Sequence, residues 1–231
     1  GVQTCALPIC GVQEYFQRTY GRSTRLIPNG IEPVESVAAD LIAKKWGLVK
    51  DSYVLFLGRI VPEKGVHYLI DAFKRLDTGK RLVIAGGASD SAEYYESVRK
   101  AAGSDPRIVL AGFTQGAELA ELYSNAYAYV LPSDLEGMPM SLLEALSYGN
   151  CCLTSDIPEC ADVLRGEDGV MHGVTFREGD VDDLAARLQE LLDHPDTVAA
   201  FGKDAAAYVT GRYNWDAITR QTLNTYKGED Q

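Results

Sequence analysis

The chain has 231 residues, 46% hydrophobic and 24% charged, an ordinary balance for a globular protein of one large or two small domains. Its net charge of −11 excludes general attraction to nucleic acid or to an anionic membrane surface. An anionic ligand must therefore be held by a few placed cations and backbone amides, and no apolar run reaches the ~18–20 residues that span a bilayer.

The opening stretch, GVQTCALPI, fits nothing that follows it and resembles a translated sequencing adapter. Residues 1–10 are therefore expected to be an artefactual leader, set aside in reasoning about the fold, with the natural protein continuing upstream. Residues 11–32 read as a helix remnant, a short strand and a turn.

From residue 53 apolar strands alternate with amphipathic helices. YVLFLG (53–58) is a short continuous apolar run, as a strand buried on both faces should be. A helix is expected over 64–76, with Val66, Leu69, Ile70 and Phe73 at helical spacing. A strand over 81–87, a helix over 91–103, a strand over 107–113, a helix over 116–126 and a strand over 126–133 follow. Pro139 starts the next helix, whose body runs from Met140 to Tyr148 before Gly149-Asn150 stops it. Leu142, Leu143 and Leu146 form its apolar stripe, leaving Ser141, Glu144 and Tyr148 on the other side. Further strands fall at 151–155 and 173–176, and three helices close the chain after residue 180. Strands separated by helices predict an α/β protein with a doubly wound, Rossmann-like parallel sheet.

The five cysteines include no CxxC pair, which suits a reducing compartment, and a cytoplasmic protein is expected. Cys151 and Cys152 are expected to serve as small core residues. His67, His172 and His194 show no metal-ligand spacing.

Ligands of open α/β sheets bind beyond the carboxyl ends of the strands. Three marked segments are expected there: Gly58-Arg59 through Lys64-Gly65, Gly86-Gly87, and Ser133–Pro139. With Pro62 in a first helical turn, Lys64 is a cation where the helix dipole disfavours one. An anion between Arg59 and Lys64 would explain it, as would two solvated surface charges. Glu136 stands in a loop and Glu144 inside a helix, with Gly137 allowing close backbone approach. Carboxylates to either side of a helix start suit a ligand with hydroxyls, a diphosphate and more hydroxyls. A capping glutamate and an exposed helix glutamate fit the spacing as well. Asp180-Val181-Asp182 spells the D-x-D of metal-dependent sugar transfer, but its place before DLAARL reads as a helix cap. Tyr94 and Tyr95 read as packing residues.

IPNG (27–30), GRIVPEKG (58–65), PSDLEGMPMSLLEALSYG (132–149), SDIPE (155–159) and YNWD (213–216) resemble, in that order, the retaining glycosyltransferases of family 4, which have the GT-B fold. The resemblance implies transfer of a sugar from a nucleotide diphosphate sugar to a hydroxyl of a glycan or lipid-linked acceptor, with retained configuration and without a metal or other cofactor. It implies that Arg59 and Lys64 hold the diphosphate and stabilise the departing charge. It places Glu136 beside the donor sugar, Gly137, Met138, Pro139 and Met140 against the sugar and phosphate, and Glu144 on the ribose. Phe113 and Thr114 fall where the family's base-binding loop runs. It also implies that this chain is the donor half alone: residues 33–212 as the donor domain, 11–32 as linker and remnant of an N-terminal domain, and 213–231 as a helix returning to that domain. The missing half would read the acceptor, so the fragment is expected to be inactive by itself. Trp215 and the last helix would leave apolar surface uncovered, and peripheral membrane contact would belong only to the full-length protein. An epimerase or phosphorylase-like enzyme and a non-catalytic nucleotide-binding module are the competing readings.

Overall fold

The computed structural model describes residues 6–7, 10–88 and 91–228; the remainder of the leader, Ser89-Asp90 and the last three residues lie outside that description. Two short strands, β1 (Ala6–Leu7) and β2 (Arg25–Leu26), pair in parallel around helix α1 (Cys10–Tyr20). Helix α2 (Leu41–Trp46) precedes the main sheet.

That sheet has six strands: β3 (Tyr53–Leu57), β4 (Arg81–Ala85), β5 (Ile108–Gly112), β6 (Ala128–Leu131), β7 (Cys152–Ser155) and β8 (Val174–Phe176). Each neighbouring pair is parallel, in the order β5-β4-β3-β6-β7-β8. Counted within the sheet this is 3-2-1-4-5-6, the doubly wound order, and the direction of winding reverses between β3 and β6. Tyr53 to Phe56 and the whole of β6 and β7 are buried, which is why these segments read as unbroken apolar runs. Cys151, Cys152 and Cys160 are buried and unpaired, as small core residues.

The crossovers are α3 (Val66–Phe73), α4 (Ala92–Ala102), α5 (Gly116–Asn125), α6 (Met140–Ser147) and α7 (Pro158–Leu164). Right-handed connections put α3 and α4 on one face, because they carry the chain one way across the sheet, and the later crossovers on the other. Helix α8 (Val181–Asp193) packs on α3, and α9 (Pro195–Arg212) packs on α6. Helix α10 (Trp215–Lys227) closes the described chain, and its Trp215, Leu223 and Tyr226 are exposed. Its start lies against the residues that precede the sheet. Ile31 N–H donates to Tyr213 O at 2.8 Å. A Cβ on Gly30 would fall 2.5 Å from the Trp215 ring.

The expected strands and long helices are all present. One expectation needs correction. The helix foreseen over 64–76 does not begin before Val66: Pro62–Lys64 is a separate 3₁₀ turn, ended by Gly65 in the left-handed region at φ 61. Lys64 is thus not a cation in the first turn of an α-helix, and the dipole argument does not apply to it. Helices α2 and α7 were not foreseen.

Candidate functional site

The reversal between β3 and β6 separates the two loops that leave their carboxyl ends and so opens a crevice there. From β3 the chain runs through Gly58 and Arg59 into the Pro62–Lys64 turn. From β6 it runs through Pro132 and Ser133 to Pro139, the residue before α6.

The two loops are locked together. A Cβ on Gly65 would sit 1.9 Å from Pro132 O, so only glycine admits the contact. Asp134 N–H donates to Glu63 O at 2.9 Å. Lys64 Nζ reaches Glu136 Oε1 at 2.5 Å, and Ser133 Oγ donates to the same oxygen at 2.7 Å. Glu136 is buried, and the side chain of Lys64 is 15% exposed. Ser155 Oγ, at the end of β7, donates to Ser133 O at 2.5 Å and extends the network one strand further. An ion pair removed from water holds only when its geometry and surrounding hydrogen bonds are good, and these hydroxyls supply them.

Arg59 differs. It is exposed, and among the described residues it forms no ion pair or hydrogen bond. Its guanidinium stands on the loop that leaves β3, five residues before the paired Lys64. Phe113, on the loop after β5, is 74% exposed beside Gly87, while Thr114 behind it is buried.

The stretch before α6 offers fewer amides than its length suggests. Pro139 has no N–H, and Met140 N–H donates to Met138 O at 2.9 Å. The N–H groups of Gly137 and Met138 have no partner among the described residues. Asn29 N–H points to Met138 Sδ at 3.0 Å, so the turn before the sheet touches this loop.

Glu144 lies one turn into α6 and is partly buried. Its Oε2 accepts from the Tyr123 hydroxyl at 3.0 Å. Tyr129 Oη lies 2.8 Å from Ser141 Oγ and 3.2 Å from Leu57 O, bracing the start of α6 against the end of β3. Tyr123 and Tyr129 are absent from the sequence-level site, and Ser133, Ser141 and Ser155 carry no assigned role in it. A clue was present: a tyrosine buried in a strand needs a partner for its hydroxyl, and AYAYVLPS places one just before the loop.

The discounted features stay outside the crevice. Asp180 accepts from Asp182 N–H and Asp183 N–H at 3.0 Å each, as a helix cap. Tyr94 Oη meets His67 Nδ1 at 2.8 Å and packs at the start of α3. Among the described residues no group of three or more His, Cys, Asp or Glu is arranged to hold a metal ion.

A doubly wound parallel sheet with charged groups and free amides at its reversal point defines a Rossmann-like domain. The chain belongs to the glycosyl transferases group 1 family, whose model matches residues 39–208. It is 28% identical over 178 residues to an uncharacterized glycosyltransferase of Methanocaldococcus jannaschii, covering 77% of this chain and 45% of that protein. It is 30% identical over 171 residues to a sulfoquinovosyl transferase of Arabidopsis thaliana, covering 74% of this chain and 32% of that protein. The fold superposes on Anabaena HepE in complex with UDP and glucose with a TM-score of 0.87 and 19% identity, over 97% of this chain and 63% of that one. The chain therefore spans 45% and 32% of the length of these two relatives.

Proposed function

We propose that this chain is the donor-binding half of a retaining glycosyltransferase that moves a sugar from a nucleotide diphosphate sugar to a hydroxyl of a glycan or lipid-linked acceptor. The observation that carries this reading is the exposed Arg59, without an ion pair among the described residues, on the same reversal-point loop as the Lys64–Glu136 pair. The chain's overall charge of −11 opposes an anion, so a diphosphate must be drawn by this local charge and by the free amides of Gly137 and Met138.

In this reading Arg59 and Lys64 grip the diphosphate. An ammonium has three donors, so Lys64 can keep Glu136 and still reach a phosphate oxygen. Both cations then oppose the negative charge that grows on the nucleotide as the sugar leaves, which lowers the barrier. Glu136, held by Lys64 and Ser133, accepts from hydroxyls of the donor sugar, and Glu144 accepts from those of the ribose. Gly137, Met138, Pro139 and Met140 line the sugar and phosphate, and Phe113 and Thr114 flank the base. HepE was solved with UDP and glucose, a nucleotide and a sugar of the class proposed here.

Residues 33–212 form the donor domain, with 11–32 and 213–231 leading to an acceptor-reading N-terminal domain that this chain does not contain. The complete enzyme is proposed to act in the cytoplasm, with any membrane contact peripheral, and the chain alone to be inactive. Membership of a glycosyl transferase family favours transfer over the epimerase and pure binding readings.

Calorimetric titration of the chain with UDP-, GDP- and ADP-sugars tests the proposal. One of the three is expected to bind, with Arg59→Ala and Glu144→Ala each lowering affinity about tenfold or more while the melting midpoint of Arg59→Ala stays unchanged. Equal affinity of Arg59→Ala and the unaltered chain would overturn it.

A further inference from the structure

The Glu144 carboxylate is not free to turn. Tyr123, from the buried side of α5, is 1% exposed, and its hydroxyl forms a bifurcated contact with Glu144 Oε2 at 3.0 Å and Ser141 O at 3.2 Å. The ring of Tyr148, one turn beyond Glu144, stacks on that of Tyr123 at 5.3 Å between centroids and 11° between planes. Asn150 Nδ2 donates to Tyr123 O at 3.0 Å, fixing the backbone that carries the ring. Tyr123 alone touches the carboxylate, and Tyr148 and Asn150 hold Tyr123 in place. Oε2 is engaged, and among the described residues Oε1 has no partner. Burial pushes the Tyr123 hydroxyl well above its ordinary pKa, so it remains a proton donor wherever the fold persists.

We infer that Tyr123 is a positioning residue: it anchors the Glu144 carboxylate through Oε2 and leaves Oε1 as the acceptor that selects a ligand with vicinal hydroxyls, the ribose of a nucleoside diphosphate, over its 2′-deoxy counterpart. This rests on the reading of Glu144 given above. A carboxylate that can rotate must lose that freedom on binding, whereas one already anchored does not. Tyr123 touches no substrate. Its effect on ligand choice passes entirely through Glu144.

The test compares UDP, GDP and ADP with their 2′-deoxy forms on the 231-residue chain, taking the best-bound base. The unaltered chain is expected to prefer the ribose form by about tenfold, the size of one or two net hydrogen bonds. Tyr123→Phe is expected to reduce the preference to about twofold while changing affinity for the deoxy form by less than about a factor of two. On a Glu144→Ala background, Tyr123→Phe should change neither affinity, because the pair acts as one unit. The preference is a ratio measured on one sample, so partial unfolding of the variant cancels from it. A Tyr123→Phe chain that keeps the full preference overturns the inference. So does an equal loss for both ligands, which marks a packing defect. If the unaltered chain shows no preference, or Glu144→Ala leaves it intact, the Glu144 assignment itself is wrong and the inference falls with it. If no nucleotide binds, the donor-site proposal has failed before either.

Discussion

Lys64 Nζ and Glu136 Oε1 stand 2.5 Å apart although 72 residues separate them in sequence, and this ion pair joins the loops on either side of the point where the sheet reverses. Because both side chains are largely withdrawn from water, each depends on the other. Cutting one partner leaves a buried charge without compensation, which costs about 3 kcal/mol or more. Lys64→Met is therefore expected to lower the unfolding free energy by about that amount, since it strands the more deeply buried carboxylate, and Glu136→Ala somewhat less, since the lysine it leaves unpaired is nearer solvent. The Lys64→Met/Glu136→Ala double variant should lose much less than the two single changes combined. Urea unfolding of the four proteins measures the coupling, and additive losses would show that the pair is not a pair in solution.

Gly65 combines a left-handed backbone, φ 61, with a Cβ position 1.9 Å from Pro132 O. Alanine there pays about 1–2 kcal/mol for the conformation alone, and the clash with a backbone oxygen adds to it. Gly65→Ala is expected to destabilise the protein by about 2 kcal/mol or more and to weaken nucleotide binding together with it. Gly47 has the same handedness, φ 65, but open space around its Cβ. Gly47→Ala should cost only the conformational part, and equal melting midpoints for the two variants would discount the clash.

Asp105 and Arg107 clasp at the start of β5, with Arg107 Nη2 2.8 Å from Asp105 Oδ2. The Arg107 side-chain hydrogen bonds hold the Asp105 carboxyl below the usual carboxylate range, helped by the Arg107 backbone N–H and opposed by desolvation. A folded pKa below the unfolded one, about 3.9, gives stability that is present above about pH 4 and lost as pH falls through the depressed folded value. The pair is partly solvated, so the contribution is about 1 kcal/mol or less. Asp105→Asn should lower stability at pH 7 by that amount and make the fall in urea midpoint between pH 5 and pH 3 shallower. An unchanged slope would remove Asp105 from the acid response.

The parts of the fold that could be read from sequence are those whose cause is local. The strand at Tyr53–Leu57 is apolar throughout because it is covered on both faces, and the cap at Asp180 is a side chain bonding to its own neighbours. Helix α2 could not be read that way. It is six residues long, and its leading amides, Asp40 N–H and Ile42 N–H, donate to Glu121 Oε2 from a helix far along the chain. Helix α7 is legible in principle, since Pro158 at its first position is a starting signal within SDIPE. At Lys64 the helix-dipole argument fails, because Gly65 interrupts the helix and the ammonium is paired with Glu136 from a loop 72 positions away. Glu144 stands out by spacing, whereas Tyr123, which holds it, comes from α5, a separate helix whose packing on α6 no spacing encodes.

Ile31 bridges Asn214 in parallel, with its N–H on Tyr213 O at 2.8 Å. Everything between those two points, the whole six-stranded sheet included, leaves and rejoins the rest of the chain through a single doorway. A tug on one strand of that doorway is met by the other across one backbone bond before it reaches the sheet. Splicing the neck shut while opening a surface turn elsewhere should give a rearranged chain that folds to the same shape.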